Sequence, residues 1–260
     1  MRIKKMNLRH IITAILVLFV CSKTIGQTTE RVYPRFSLGA QTGLDIGAAV
    51  PFPLSAMGND SKINAVPSLF PQLGVFATIR IAPKWTATVE TAYKQVGIDA
   101  KARVSEQRFT DSDDPTVQIN FRGAVEMGMH FSMLEVPVYA GYNIGKKDGR
   151  VILGAYYSYI FKADFSARPL KGVLTPLDNP HDVTEVYEPM DTQYLSSSLD
   201  NWDWGLLTGY EMKIFDRATL GARLNVGMKD IFKSDEKMLD YKMLHMRGAV
   251  VIAYKIFKDI

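Results

Sequence analysis

Few residues in the chain stand at spacings that could do chemistry. His130 and Ser132 are two apart and share a face if their segment is extended, an arrangement that a serine hydrolase with a histidine base would need. Neighbours on one face of a strand lie nearly 7 Å apart at about 3.3 Å per residue. A nucleophile and its base must be within hydrogen-bond reach and be oriented by a third group, so the pair does not make a triad. The acids Asp111, Asp113 and Asp114, and those from Asp178 to Asp191, are of the type that collects Ca²⁺, but their spacing departs from the EF-hand loop. They read as solvated loop residues. No catalytic, cofactor-binding or metal-ligating set is therefore expected. The remaining polar group is larger: Arg80, Glu90, Lys94, Glu135, Tyr139, Arg223, His245 and Arg247, all on the polar phase of alternating segments. Charges on one phase of a strand, opposite an apolar phase, need partners if they are enclosed. The expected chemistry is a hydrogen-bonded ion network inside a β structure.

The elements that would hold such a network are legible as period-2 runs. Phe36, Leu38, Ala40, Leu44 and Ile46 alternate with Arg35, Ser37, Gly39, Gln41, Gly43 and Asp45, with Thr42 the exception on the apolar side. Leu73, Val75, Ala77, Ile79 and Ile81 repeat the pattern against Gln72, Gly74, Thr78 and Arg80, broken on the polar side by Phe76. A third run starts at Trp85. A seventh has Leu220, Ala222, Leu224 and Val226 against Thr219, Gly221, Arg223 and Asn225. Four further runs cover 134–144, 151–165, 202–214 and 244–257, which makes eight. Each has the 9 to 11 residues that a tilted membrane strand requires, and none approaches the ~18 consecutive apolar residues of a transmembrane helix.

The connections alternate in length. Residues 82–84, 145–149 and 215–217 are short, whereas 51–69, 98–118, 166–200 and 229–243 are long. An all-β, eight-stranded antiparallel transmembrane barrel with short periplasmic turns and long extracellular loops has this form. Trp85, Phe215 and Phe257 stand beside short turns, and Tyr159, Phe161, Trp202 and Trp204 stand toward the long loops. Those seven residues are expected to form two aromatic girdles. A soluble sandwich or lipocalin-like barrel would require neither the charged opposite phase nor the loop asymmetry. Val117, Ile119 and Phe121 alternate ahead of the fourth run, so that strand is expected to reach beyond the bilayer.

Residues 1–26 carry Arg2, Lys4, Lys5 and Arg9, then the apolar stretch Ile11 to Val20, then small and polar residues up to Gly26. This is the layout of a secretory signal peptide, with 27–260 as the barrel domain. Acylation at Cys21 is disfavoured by the bulky Phe19 and Val20 before it. The full chain has 31 Lys+Arg and 27 Asp+Glu, but five of the cations lie in the leader, so the remainder is near neutral. A neutral chain lacking a basic cluster in sequence gives no support to nucleic-acid binding. The only cysteine also lies in the leader, which excludes a disulfide framework in the mature chain.

Several strands also carry family signatures. Val89 to Gly97 (VETAYKQVG) resembles the "E-L-x-Y-x-x-K-G" strand, and Met133 to Val138 (MLEVPV) the "Y-L-E-I-P" strand, of the PorT-like outer-membrane β-barrel family. Asp203 to Gly209 and Leu224 to Ile231 are similar to its later "D-x-G-x-x-x-G" and "R-Y-x-x-G-L-x-x-I" strands. Gln95 and Val96 depart from the polar-Lys pair, and Met133 from the tyrosine. The resemblance implies an outer-membrane barrel and accounts for Pro137 within a strand; its namesake is linked to protein secretion across the outer membrane. The functional expectation is a non-enzymatic barrel in outer-membrane lipid, acting as a structural or interaction component through its outer loops, or as an accessory subunit of a secretion or assembly machine. A small pore or transporter is the alternative. Residues 166–200, with a net charge of −4 and interspersed apolar residues, are the expected protein-binding segment.

Overall fold

The structure is a computed structural model, and it describes residues 36–52, 63–110, 118–144, 149–179, 181–190, 192–194, 196–233 and 242–258. The chain divides into two units, Met1–Tyr33 and Pro34–Ile260. The first, with the expected signal peptide and its cleavage point, lies outside the described residues. The second contains β1 (Phe36–Phe52), β2 (Ile63–Pro67), β3 (Leu69–Ala82), β4 (Trp85–Thr110), β5 (Gln118–Ile144), β6 (Gly149–Pro176), β7 (Thr184–Val186), β8 (Gln193–Tyr194), a 3₁₀ turn at Ser196–Ser198, β9 (Trp202–Lys213), β10 (Ala218–Gly227) and β11 (Lys242–Lys258).

Eight of these strands form a closed antiparallel ring. β1 pairs with β3, and the ladder continues through β4, β5, β6, β9, β10 and β11 before β11 returns to β1. Each of the eight matches one alternating run of the sequence. Closure leaves the ring no edge, which is what a sheet in hydrocarbon requires. Pro137 fits because the β4–β5 ladder skips from Val89↔Val138 to Ala92↔Glu135, so no hydrogen bond is asked of it there, while it pairs with Tyr156 on β6. Phe76, the exception on the polar phase of β3, points inward and is 6% exposed. Its ring lies over Gly39, its partner on β1, where a Cβ would come within 2.4 Å of the ring. Glycine is thus required at Gly39 to admit Phe76.

The outward phase is apolar around the ring: Leu73 on β3, Val89 on β4, Val138 on β5, Leu153 on β6, Leu206 on β9, Leu224 on β10 and Ile252 on β11 are all exposed. This band meets the lipid. Aromatic side chains stand toward both of its ends. Trp85 stacks obliquely on Tyr142 at 4.9 Å near the short-turn end, and Tyr157 stacks on Trp202 at 6.1 Å near the other. Tyr159, Phe161, Trp204, Phe215 and Phe257 are likewise exposed.

The long connections differ from irregular loops. Residues expected to be loop at 98–118 and 166–200 continue β4 to Thr110, begin β5 at Gln118 and continue β6 to Pro176. The three strands project as a sheet. β2 pairs with the edge of β4 at Ile98–Ala102, and β7 and β8 pair with the edge of β6. The physical reason is an exchange of faces at the edge of the apolar band. Up to Tyr93 and Leu134 the apolar side chains face out. Beyond them Val96, Phe131, Met129, Val125 and Phe121 are buried on the inner face, while Asp99, Lys101 and Arg122 are exposed on the outer one. The alternation runs on with its polarity reversed, as in a soluble sheet. Phe161 is an extra residue in β6 at this boundary, between the pairs Ser132↔Lys162 and Met133↔Ile160. The tips at 111–117 lie outside the described residues.

If the exposed band is the lipid face, Leu153→Arg, within the lipid-facing stretch of β6 between Val151 and Tyr159, destabilises the barrel by about 2–4 kcal/mol, as a cation does near the bilayer midplane. Lys162→Ala, just past the boundary, leaves stability within about 0.5 kcal/mol. Urea titration of the protein refolded into lipid vesicles measures both.

Candidate functional site: a two-layer ion network beneath an apolar cap

Alternation carries a second set of side chains to the inside of the ring, where they meet across strands that are not neighbours. Along β4, Glu90 and Lys94 lie four residues apart, or roughly 13 Å at the rise of a strand. Each anchors a separate layer.

In the lower layer, toward the short turns, Glu90 is the central acceptor. Arg223 on β10 donates to it from Nη1 (2.7 Å) and Nη2 (2.9 Å), a bidentate pair. Gln41 on β1 donates from Nε2 at 2.7 Å, and Tyr139 on β5 from its hydroxyl at 2.5 Å. Arg223 Nη2 also reaches Glu211 Oε1 on β9 at 2.8 Å, and Glu211 pairs in turn with Arg150 on β6. Two carboxylates thus meet two cations, drawn from six strands with Gln41 and Tyr139. Tyr139 lies against Gly154 of β6, where a Cβ would come within 2.4 Å of its own Cβ.

In the upper layer Glu135 accepts four hydrogen bonds: from Lys94 Nζ at 2.9 Å, Arg247 Nη2 at 2.5 Å, Ser158 Oγ at 3.1 Å and Asn225 Nδ2 at 3.1 Å. Lys94 Nζ also stands 3.6 Å from Asp45 Oδ1 on β1. Arg247 lies 5.0 Å from the centre of the Tyr156 ring, and the Tyr156 hydroxyl donates to Asp203 Oδ2 at 2.8 Å. Glu135, Asp45 and Arg247 are at most 1% exposed.

Above this layer the interior turns apolar. His245, 1% exposed, meets the edge of Phe131 at 4.8 Å. Val96, Met129, Phe131, Met133, Ile160 and Phe165 of the projecting sheet pack against Leu199, Ile231, Phe232 and Met243 from the opposite side. Leu199 comes from the connection after the 3₁₀ turn, Ile231 and Phe232 from the connection after β10, and Met243 from the start of β11. An isolated bridge between Leu199 and Phe232, and a Lys229–Asp200 ion pair, tie the two connections together. They form a cap over the outer mouth. Among the described residues, several buried polar atoms under the cap have no hydrogen-bond partner, including both His245 nitrogens, both amide atoms of Gln72 and Asp203 Oδ1.

Of the inward residues picked out from sequence, Glu90, Tyr139 and Arg223 meet in the lower layer and Lys94, Glu135 and Arg247 in the upper. His245 sits beneath the cap. Arg80 is half-buried nearer the short turns, opposite Thr86. The selection missed Arg150, Asp203 and Glu211, and it left Gln41, Asp45 and Asn225 as mere polar-phase residues. Their phase was the available signal. His130 and Ser132 lie on the outer face of β5. His130 covers Gly97 of β4, where a Cβ would come within 2.5 Å of its ring, and its Nε2 is 3.8 Å from Asp99.

A closed ring of eight antiparallel strands with an apolar belt and a polar, side-chain-filled interior defines an outer-membrane barrel of the smallest size class. The chain belongs to the family described as outer membrane protein beta-barrel domain, matched over residues 25–233, and the protein is one of the outer membrane. Solved structures similar to it include Ail, the attachment invasion locus protein of Yersinia pestis (9% identity, 85% of this chain and 99% of that one, TM-score 0.36). Neisserial surface protein A (12%, 85% and 99%, 0.37) and OprG from Pseudomonas aeruginosa (12%, 85% and 94%, 0.30) are others. No curated protein sequence matches the chain.

Removing one member of a buried pair leaves the other uncompensated. Arg223→Met is expected to cost about 3–5 kcal/mol, because it strands Glu90, whereas an Arg223→Met/Glu90→Leu double variant recovers most of that loss. A double-mutant cycle by denaturant unfolding in vesicles measures the coupling.

Proposed function

We propose that the protein is a non-conducting, non-enzymatic barrel that acts as a structural or interaction component of the outer membrane through the segments it raises above the bilayer. One observation carries this reading: two ion layers and an apolar cap occupy the lumen in series, while three strands extend outside. An interior packed in this way serves stability, which leaves the outer segments as the part that varies its surroundings. Residues 166–200 supply the protein-binding surface. They add β7 and β8 to the edge of β6 and expose Leu177, Val183, Tyr187 and Met190 among carboxylates. Large exposed apolar side chains outside the lipid band are suited to a protein partner. In that reading the PorT-like strand motifs fit an accessory subunit of a secretion or assembly machine.

A second reading, a narrow path for small solutes, has one observation in its favour. The unpartnered atoms belong to Gln72 and Asp203, beside Lys94 and Ser158 of the upper layer, and to His245, against Phe131 of the cap, where polar groups require partners or water. It would still have to pass both the cap and the charges.

Planar bilayers holding the purified barrel are expected to show no single-channel steps, and reproducible conductance that changes on Arg247→Ala would favour the path instead. Crosslinking in intact cells, then mild-detergent purification and mass spectrometry, is expected to recover a stoichiometric protein crosslinked within 166–200; recovery of the barrel alone removes the subunit reading. Ser132→Ala is expected to leave lipid and peptide hydrolysis at background, the level of the unaltered protein.

A further inference from the structure

We infer that the lumen beneath the cap holds a site for one soft monovalent metal ion, Cu(I), built from His245 and the methionine sulfurs around it. The site is independent of whatever the outer segments bind.

The ligands converge because β5 and β11 stand on opposite sides of the ring. On β5 the inward residues at this height are Met129, Phe131 and Met133, and on β11 they are Met243, His245 and Arg247; all six are at most 7% exposed. Two contacts fix how the rows mesh. The rings of His245 and Phe131 meet edge to face with centres 4.8 Å apart, and Arg247 Nη1 reaches Met133 Sδ at 3.4 Å. His245 therefore lies one step above the Met133 sulfur, with Met243 next along its own strand. Met129, Met133 and Met243 share one buried cluster with Phe131. Methionine in a core is commonly a filler of gaps. What sets this group apart is His245, whose two ring nitrogens are both buried without a hydrogen-bond partner. A neutral imidazole presents a lone pair at one nitrogen, and a thioether presents one without losing a proton. Thioethers with an imidazole make a soft ligand set, suited to Cu(I) and ill suited to Mg²⁺ or Ca²⁺.

Charge points the same way. Around the upper layer three buried carboxylates, Asp45, Glu135 and Asp203, stand against two buried cations, Lys94 and Arg247. Asp203 accepts from the Tyr156 hydroxyl at Oδ2, and its Oδ1 has no partner. A Cβ placed on Gly227 would stand 3.2 Å from both Asp203 oxygens and 3.1 Å from the His245 main-chain nitrogen, so this carboxylate lies beside His245. Arg247 does not oppose a cation there, because Glu135 accepts from it at 2.5 Å. At the cap Lys229 pairs with Asp200, and the half-buried Asp230 accepts from the main chain of Phe232 and Met243. One fully enclosed negative charge is thus left over, and a single monovalent cation cancels it.

The test uses the full chain with Cys21→Ser, which removes its single cysteine, refolded in detergent and titrated with Ag(I) nitrate in chloride-free buffer. Silver stands in for Cu(I) and needs no reductant. Native mass spectrometry counts the ions bound, and methyl NMR of carbon-labelled methionine identifies the sulfurs that shift. One ion per barrel is expected, with shifts at Met133 and Met243. His245→Phe is expected to lose more than about 100-fold in affinity, beyond the roughly 10–100-fold expected of Asp203→Asn, which removes only the neighbouring counter-charge. Met228→Leu, exposed just past β10, is expected to bind normally. If His245→Phe does not fold, as judged by heat-dependent gel mobility, the volume-conserving Met133→Leu/Met243→Leu variant is expected to show the same loss. Failure to bind silver overturns the inference, as does full retention by whichever variant folds. Shifts confined to exposed methionines overturn it too. Displacement of the silver by equimolar Zn²⁺ also does so, since the group would then be an ordinary imidazole site.

Discussion

Hydrocarbon offers the peptide backbone nothing to bond to, and the architecture of this protein follows from that lack. Every N–H and C=O in the bilayer must be met by another strand, so the sheet closes on itself. Eight strands give the narrowest common ring, and the inward side chains then fill it. What enters the interior is set by alternation: each residue that shows an aliphatic group to lipid commits its neighbours to the inside. An apolar interior would make both faces greasy and remove the signal that orients the strands. A polar one needs charge compensation, and the two layers around Glu90 and Glu135 supply it through bidentate and multiple hydrogen bonds.

The layers also act as long-range ties. Glu90 and Arg223 are 133 residues apart in sequence, and Glu135 and Arg247 are 112 apart. Such pairs join strands on opposite sides of the ring, which the backbone ladders, binding only neighbours, cannot do. Register is thereby specified twice, once by hydrophobic phase against lipid and once by the complementarity of charges inside. A slip of one residue on β10 would put Arg223 into hydrocarbon and Leu224 among the carboxylates.

Much of this was legible in the residues themselves. Period-2 runs located all eight membrane strands, and the polar phase held most of the side chains that meet inside. Two things were hidden. Which charges pair depends on stagger around the ring, a quantity that no single strand displays; Glu90 and Lys94 share one phase of β4, yet each anchors a different layer. The projecting sheet was hidden for a different reason. Above the lipid the apolar side chains Val96, Met129 and Phe131 occupy the inner phase, so a search for the membrane pattern ends at Tyr93 and Leu134 although the strands do not. Val117, Ile119 and Phe121 gave the one hint, and it concerned β5 alone.

The exchange of faces has a mechanical consequence. Because β4, β5 and β6 pass from bilayer to exterior as continuous strands, with one extra residue, Phe161, at the boundary and further register shifts only higher up, after Val104 and at Leu170, no hinge separates the projecting sheet from the barrel wall. A load applied at the tip is carried as bending moment into the ring, where the cross-lumen ion pairs resist ovalisation of the cylinder. The projection behaves as a cantilever with its root clamped in the membrane, and its orientation to the cell surface is held by the tilt of the barrel strands.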